Sequence, residues 1–434
     1  MSIVGILIVV LGIGLSIALH EVGHMWPAKK FGVKVTQFMV GFGPTLFSRR
    51  KGDTEYGVKL IPLGGYVRMI GMFPPRPEGA RRDGRFRQLI ETARAETLSE
   101  VQPEDEHRVF WRLKTWQKII VMAGGPTVNL ILSAVFLGAI FHVIGISQPS
   151  FTVDTVVQCV PTVANPSGSA SIIDSKSSCP GTQPTPAALM GLKSGDRMVA
   201  VNGTKYDDRY EFGAALAGLK NAPLTLTVVR DGQQLDLRGT TTTIERPVYD
   251  DQGQDTGKKQ QSGFIGFRTT VDHVKQEPTA VPRTLWMMSV DSVKALGSFP
   301  VMIYDLARTL VTGQERDING PVSVVGVADI GGQMAASGEP WRDVAVNLLG
   351  LLASLNLFLF LFNLVPLPPL DGGHVAGAFV EGVKRTIGRI RGRQTAPVDT
   401  AAMLPIAYVA VAVLLVMSLV VIVADIFKPL QIPG

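Results

Sequence analysis

Charge and cysteine are what this chain is short of. Charged residues make up 18 % of its 434 positions, against the ~25 % usual for soluble domains, which need charge to cover their surface. With so few charges and a mean hydropathy of +0.24, the chain is neither a disordered polymer nor an ordinary soluble enzyme. Two cysteines cannot staple a fold of this size, and they cannot furnish a zinc ribbon or an iron–sulfur centre. Forty-two Lys and Arg against 36 Asp and Glu leave a net charge of only +6, and the excess follows membrane topology, so a nucleic-acid partner has no support. An integral membrane protein is the class that remains.

Four charge-free runs supply the spans: Ser2 to Leu19, Ile119 to Ile146, Val344 to Leu370 and Thr400 to Ala424. Each approaches the ~20 apolar residues that a helix needs to cross a bilayer. The first is read as a span rather than a cleaved signal, because no Lys or Arg precedes it and it runs into a His/Glu cluster without a small-residue cleavage site. Lys29, Lys30 and Lys34 follow span one, Arg108, Arg112, Lys114 and Lys118 precede span two, and Lys384, Arg385, Arg389, Arg391 and Arg393 separate spans three and four. Basic flanks mark the cytoplasmic side. Both termini and the segment from about Ser147 to Asp343 are therefore expected outside the cell. Cys159 and Cys179 both fall in that segment, where an oxidising compartment permits a disulfide, two free thiols being the alternative.

Between the spans, Val35 to Val40 and Tyr56 to Ile61 are β-branched-rich runs, punctuated by Gly41-Phe42-Gly43-Pro44 and Gly64-Gly65-Tyr66. They predict a small β-hairpin sheet at the membrane. Pro74 to His107 turns to Pro, Arg and Glu and reads as an exposed, partly disordered insert with an amphipathic helix over Arg85 to Leu98. In the outer segment, Phe151 to Val157, Arg197 to Val201 and Leu224 to Val229 read as strands, Glu211 to Leu219 as a helix, and Asn202-Gly203 and Asp231-Gly232 as tight turns. Asp250 to Gln261 reads as a mobile loop. Pro282 to Thr312 carries apolar residues at helical spacing, as an amphipathic helix or pair lying on the membrane or against the spans.

Span one ends in His20-Glu21-Val22-Gly23-His24. On a helix the i, i+4 spacing sets both imidazoles on one face, able to share a metal, with the intervening carboxylate placed to take a proton from water. A tetrahedral site open to water needs a third protein ligand. Span three breaks at Asn363-Leu364-Val365-Pro366-Leu367-Pro368-Pro369 and then presents Asp371-Gly372-Gly373-His374. Prolines at membrane depth free backbone groups and call for surrounding protein or water. Eighteen residues at helical rise, about 27 Å, carry His20 to the cytoplasmic side, where Asp371 also lies. His374 competes with Asp371 as the third ligand and is otherwise a supporting histidine. In span two, Gly124-Gly125-Pro126 read as helix-packing residues, and Asn129 either hydrogen-bonds across that packing or, with Asn363, binds substrate backbone or a water beside the metal.

These pieces resemble the site-2 protease family of intramembrane zinc metalloproteases: the His20 to His24 pattern, the Gly41 hairpin with Pro62-Leu63-Gly64-Gly65-Tyr66, the Gly-Pro-x-x-Asn element ending in Asn129, and Asn363 through Gly373. They follow one another in the family's order across nearly the whole chain, in wording most like the actinobacterial branch. Ala187 to Arg197 and Val201-Asn202-Gly203 resemble a PDZ domain. The resemblance implies one zinc ion per chain held by His20, His24 and Asp371, Glu21 as general base, and a hairpin with Gly64 and Gly65 that guides an extended substrate strand by edge pairing. It further implies single-span substrates such as anti-sigma factors, already trimmed by an upstream site-1 type protease.

The expected fold is a multi-pass α-helical membrane protein with four transmembrane helices, a membrane-associated β-hairpin sheet and an extracytoplasmic α+β PDZ domain. Its expected divisions are helix one (1–28), the hairpin region (29–73), a charged insert (74–115), helix two (116–147), the PDZ region (148–283), an amphipathic helical region (284–342), helix three (343–374), a cytoplasmic loop (375–399) and helix four (400–427). A membrane hydrolase of soluble peptides or prenylated termini would share the histidine pattern without needing the prolines near Asp371. A non-enzymatic PDZ receptor would have no use for Glu21.

Overall fold

The computed structural model describes residues 2–75, 87–160, 179, 183–249, 255–314, 316–317, 320–392 and 400–430. In chain order the elements are α1 (Ile3–Lys30), β1 (Val35–Lys51), β2 (Thr54–Met69), α2 (Arg87–Ser99), α3 (Thr115–Gly138), β3 (Ile146–Val156), α4 (Pro186–Leu189), β4 (Arg197–Val201), β5 (Thr204–Lys205), α5 (Arg209–Gly218), β6 (Pro223–Arg230), β7 (Gln233–Thr240), β8 (Thr242–Tyr249), β9 (Asp255–Phe264), β10 (Phe267–Val274), α6 (Ala280–Thr312), α7 (Val324–Ala336), α8 (Trp341–Asn363), α9 (Asp371–Ile390) and α10 (Leu404–Phe427). They fall into two compact units, Met1–Ile144 with Lys275–Gly434, and Gly145–Val274.

In the first unit, four helical stretches among the described residues are long and apolar enough to cross a membrane: Ile3–Lys30, Thr115–Ile144, Trp341–Asn363 and Thr400–Phe427. They overlap the four charge-free runs, but the third, expected as one helix over 343–374, ends at Asn363, and Pro366, Pro368 and Pro369 separate it from α9. Val9 and Ile13 of α1 interlock with Leu348 and Leu352 of α8, and Phe136 of α3 packs against that cluster. Small residues bring α1 and α3 to backbone contact, since a Cβ on Gly124 would stand 2.0 Å from the Gly23 carbonyl oxygen. Such close approach is what small residues allow between helices in lipid. A polar contact crosses from α8 to α1, where the buried Asn356 amide donates to Ser16 Oγ at 3.0 Å. The last span sits apart from this trio: Val421 and Ala424 of α10 pack on Ile303 and Leu306 of α6.

Of the helix or pair expected over Pro282 to Thr312, the chain forms one continuous 33-residue helix, α6. The following α7 packs on the start of α1, where a Cβ on Gly5 would meet the Gly331 carbonyl oxygen at 2.3 Å. Residues 375–390, expected as part of a loop, continue the helix α9. In the insert, 76–86 lie outside the described residues, α2 covers most of the expected amphipathic helix, and Pro103–Arg108 forms a 3₁₀ turn rather than disordered chain. That turn is pinned by ions. Asp105 pairs with Lys34 at 2.5 Å and with Arg108 at 3.2 Å, while Arg108 reaches Asp53 at the hairpin tip at 2.7 Å.

The hairpin strands β1 and β2 are longer than the sequence runs suggest, and they fold back on themselves. Val40 lies opposite both Gly65 and Val58, while Phe47 to Lys51 run opposite Val58 to Thr54. The chain changes direction around Gly41, Gly43 and Gly64, all at positive φ (95°, 83° and 108°), a conformation in which glycine carries no Cβ penalty. The expected turn glycines therefore do turn the chain, inside the strands rather than between them.

In the second unit, a six-stranded sheet runs β10-β3-β4-β6-β7 with β5 added to β4, beside a separate β8-β9 ribbon. Its core is built on Phe212, Leu226, Val228, Met198 and Leu224. Asn202-Gly203 and Asp231-Gly232 adopt positive φ as tight turns. Asp250 to Gln261 was expected to be a loop. Residues 250–254 lie outside the described residues, but 255–261 belong to β9, paired with β8. Cys159 and Cys179 form a disulfide. The fully buried Asp196 accepts from Arg230 Nε and Nη2, both at 2.6 Å, and from the Lys193 amide at 2.8 Å. Burial alone would raise the Asp196 carboxyl, but the Arg230 guanidinium and the Lys193 amide outweigh it and hold the group below the usual carboxylate range.

Candidate metal centre and active site

His20 and His24 project from the last turns of α1, one helical turn apart, with their Nε2 atoms 3.2 Å from each other. Asp371 opens α9, and its Oδ2 lies 3.4 Å from His20 Nε2 and 3.3 Å from His24 Nε2. Three donor atoms from two distant stretches thus form a nearly equilateral triangle with sides of 3.2 to 3.4 Å. The edge of a tetrahedron with metal–ligand bonds of about 2.0–2.1 Å is roughly 3.3–3.4 Å. Two imidazoles and a carboxylate are also a donor set suited to zinc. On spacing and chemistry, the residues fit the ion.

Local sequence explains how Asp371 reaches this position. After α8 ends at Asn363, the segment with Pro366, Pro368 and Pro369 turns before α9 begins. The turn lies directly against the start of α9: a Cβ on Gly372 would meet the Val365 carbonyl oxygen at 2.3 Å, and one on Gly373 the Pro368 nitrogen at 2.7 Å. The paired glycines are therefore needed for close packing. A carboxylate at a helix N-terminus is also favoured by the helix dipole.

The helix α3 supplies the back wall. His24 Nδ1 is 2.8 Å from the Val121 carbonyl, an acceptor only, so Nδ1 carries the proton and Nε2 is left free to ligate. His20 Nδ1 faces the Asn129 amide at 3.1 Å. Midway between them, a Cβ on Gly125 would stand 2.2 Å from His24 Nε2 and 2.7 Å from His20 Nε2. Val121, Gly125 and Asn129 lie at i, i+4 and i+8, one stripe of α3. Gly125 and the Val121 carbonyl escaped the sequence reading. The available signal was the Gly124-Gly125 pair, read there as packing alone.

Glu21 is buried at 9 % exposure and rests against the β-sheet, where a Cβ on Gly65 would meet its Cγ at 2.9 Å. Gly64 turns the chain beside it, against the Phe42 ring. His374, the competing ligand, instead lines a pocket with Met72, Phe110, Trp111, Lys118 and Glu381, and among the described residues the cluster of potential metal donors comprises His20, His24 and Asp371. Asn363 is half-buried at the end of α8. Asn129 is 1 % exposed and turned to His20.

A family model for peptidase family M50 matches residues 8–422. The chain belongs to that family. Zinc metalloprotease Rip1 of Mycobacterium tuberculosis is 33 % identical over 440 residues, covering 100 % of this chain and 99 % of the relative. Its counterpart in Mycolicibacterium smegmatis, also named zinc metalloprotease Rip1, is 34 % identical over 448 residues, 99 % and 98 % of the two chains. The family match spans both the histidine pair of α1 and Asp371 of α9.

Proposed function

We propose that this chain, a zinc metalloprotease of family M50, hydrolyses peptide bonds within the bilayer, in the transmembrane segments of single-span proteins. The observation that carries the reading is the triangle of His20 Nε2, His24 Nε2 and Asp371 Oδ2, with sides of 3.2 to 3.4 Å, between the apolar helix α1 and the start of α9. His20, His24 and Asp371 hold the ion, and Glu21 is the general base. When bound there, zinc supplies Lewis-acid polarisation of the scissile carbonyl and acidifies the attacking water. Glu21 takes the water's proton and returns it to the leaving amine. Gly65 gives that carboxylate its space.

A substrate helix hides its carbonyls and must unwind before it can be attacked. The sheet of β1 and β2, turned at Gly64 and Gly65, offers backbone for pairing with an unwound strand, and Asn363, at the end of α8, is the side chain that would bind substrate backbone. In this reading the hairpin and catalytic centre lie toward the cytoplasm, supported by the basic residues Lys29 and Lys30 in the last turn of α1. Both termini and the Gly145–Val274 unit lie outside. That unit is a PDZ domain that excludes untrimmed substrates, and the substrates are membrane-bound anti-sigma factors shortened first by another protease. Support for the PDZ reading comes from the six-stranded sheet and from the tight turn at Asn202-Gly203.

The test is Glu21→Gln in full-length protein presented with a reporter transmembrane helix. Zinc content should match the unsubstituted protein while cleavage is lost, and unimpaired cleavage would refute the assignment. Soluble peptides cleaved as readily as the reporter helix would instead favour a hydrolase of soluble substrates.

A further inference from the structure

Asn129 sits in the middle of the apolar helix α3, with 1 % of its surface exposed. Its Nδ2 lies 3.1 Å from His20 Nδ1, while its Oδ1 is buried without a hydrogen-bond partner. The oxygen and nitrogen of an amide are assigned from the hydrogen bonds they make. With Nδ2 toward the ring, Nδ1 has to accept, so the imidazole proton moves to Nε2 and points at His24 and Asp371, where a ligating lone pair is needed. Exchanging the two amide atoms removes this conflict. Oδ1 then accepts from Nδ1–H, and Nε2 is left bare toward His24 and Asp371.

We propose that Asn129 is a positioning residue for His20: its side-chain oxygen accepts from Nδ1–H and holds the ring as the tautomer whose Nε2 faces the metal centre. The proposal rests on the zinc reading of His20, His24 and Asp371. It makes α3 a template with two equivalent acceptors. The Val121 carbonyl holds His24 Nδ1 at 2.8 Å and Asn129 holds His20 Nδ1 at 3.1 Å, eight residues apart on one stripe, with Gly125 open between them. One histidine is fixed by main chain, which no substitution removes, and the other by a side chain, which can be changed. Asn129 is thereby committed to the histidine and does not bind substrate.

The experiment uses full-length protein in detergent, with zinc affinity read by chelator competition and with the absorption spectrum of the cobalt-substituted form. Asn129→Leu, close in volume and unable to accept, should weaken zinc binding roughly 10–100-fold and alter the cobalt spectrum. Asn129→Asp keeps an acceptor facing Nδ1–H and should restore affinity to within about threefold of the unsubstituted protein. KM for a reporter helix at saturating zinc should not change in either variant. Unchanged zinc affinity in Asn129→Leu, or a raised KM with zinc binding intact, would overturn the proposal while leaving the zinc centre standing. His20→Ala separates the two ideas: if it binds zinc as tightly as the unsubstituted protein, the centre itself is misassigned.

Discussion

Gly125 lies so close to His24 that a single methyl group at that position would stand 2.2 Å from the imidazole Nε2 and 2.7 Å from that of His20. The room in front of the two Nε2 atoms exists because α3 carries hydrogen there. Gly125→Ala should therefore lower zinc affinity by at least about 100-fold, while a more helix-favouring residue leaves the helix itself intact. Metal content per chain and helical circular dichroism, measured on the same sample, check both halves of that expectation.

Gly65 plays the corresponding part for the carboxylate. Gly65→Val would drive the side chain of Glu21 away from its position against the sheet, where even a Cβ meets its Cγ at 2.9 Å. Zinc content should be unchanged and kcat on a reporter helix should fall by about 10²-fold, the lower end of what a general base contributes. Loss of zinc together with activity would show that the sheet supports the ligands and not the base.

The opening turn of α3 is tied to α9 by a buried ion pair: Lys118 Nζ reaches Glu381 Oε2 at 2.9 Å and Oε1 at 3.1 Å, with the two side chains 8 % and 4 % exposed. Removing Lys118 leaves the buried Glu381 carboxylate with Arg385, whose Nη2 lies 3.2 Å from Oε1, so Lys118→Met should destabilise the protein by about 1–3 kcal/mol, less than the roughly 3–5 kcal/mol of a fully stranded charge. The double replacement Lys118→Met with Glu381→Leu should recover most of that loss. Thermal unfolding in detergent of the two single variants and the double variant measures the coupling.

Acid should loosen the Gly145–Val274 unit through Asp196. Its carboxyl is held below the usual range by Arg230 and the Lys193 amide, so the stability it contributes is fully present above the unfolded-state value, near 3.9, and is lost as pH falls through the lower folded value. Amide exchange in β4 and β6 should accelerate below about pH 4. In Arg230→Gln it should already be fast at neutral pH, with little further acid dependence.

The metal-centre pattern was legible because its chemistry requires particular residue types at a particular spacing: two histidines one turn apart, and an aspartate after a proline-broken span. What α3 contributes was not legible in the same way. A main-chain carbonyl such as that of Val121 carries no sequence signal, and Gly125 reads like any small residue at a helix crossing. Asn129 was singled out, but its partner His20 stands 109 residues away, and only the folded chain shows that the amide faces a histidine. Helix α9 was read as loop because its glycines and basic residues suppress the apolar run that marks a span. β9 was missed because Thr256 to Gln261 are exposed, so neither face needs apolar residues and the alternation that reveals a half-buried strand never arises.

At the crossing of α1 and α3, Gly124 stands with its missing Cβ only 2.0 Å from the Gly23 carbonyl oxygen, and this contact falls between the two histidines in sequence. Peptide planes, which have no rotamers to hop between, thus set the spacing of the two rods. Whatever rocking substrate entry demands, the tolerances at this joint belong to the stiffest parts of the polymer, and motion has to be taken up elsewhere.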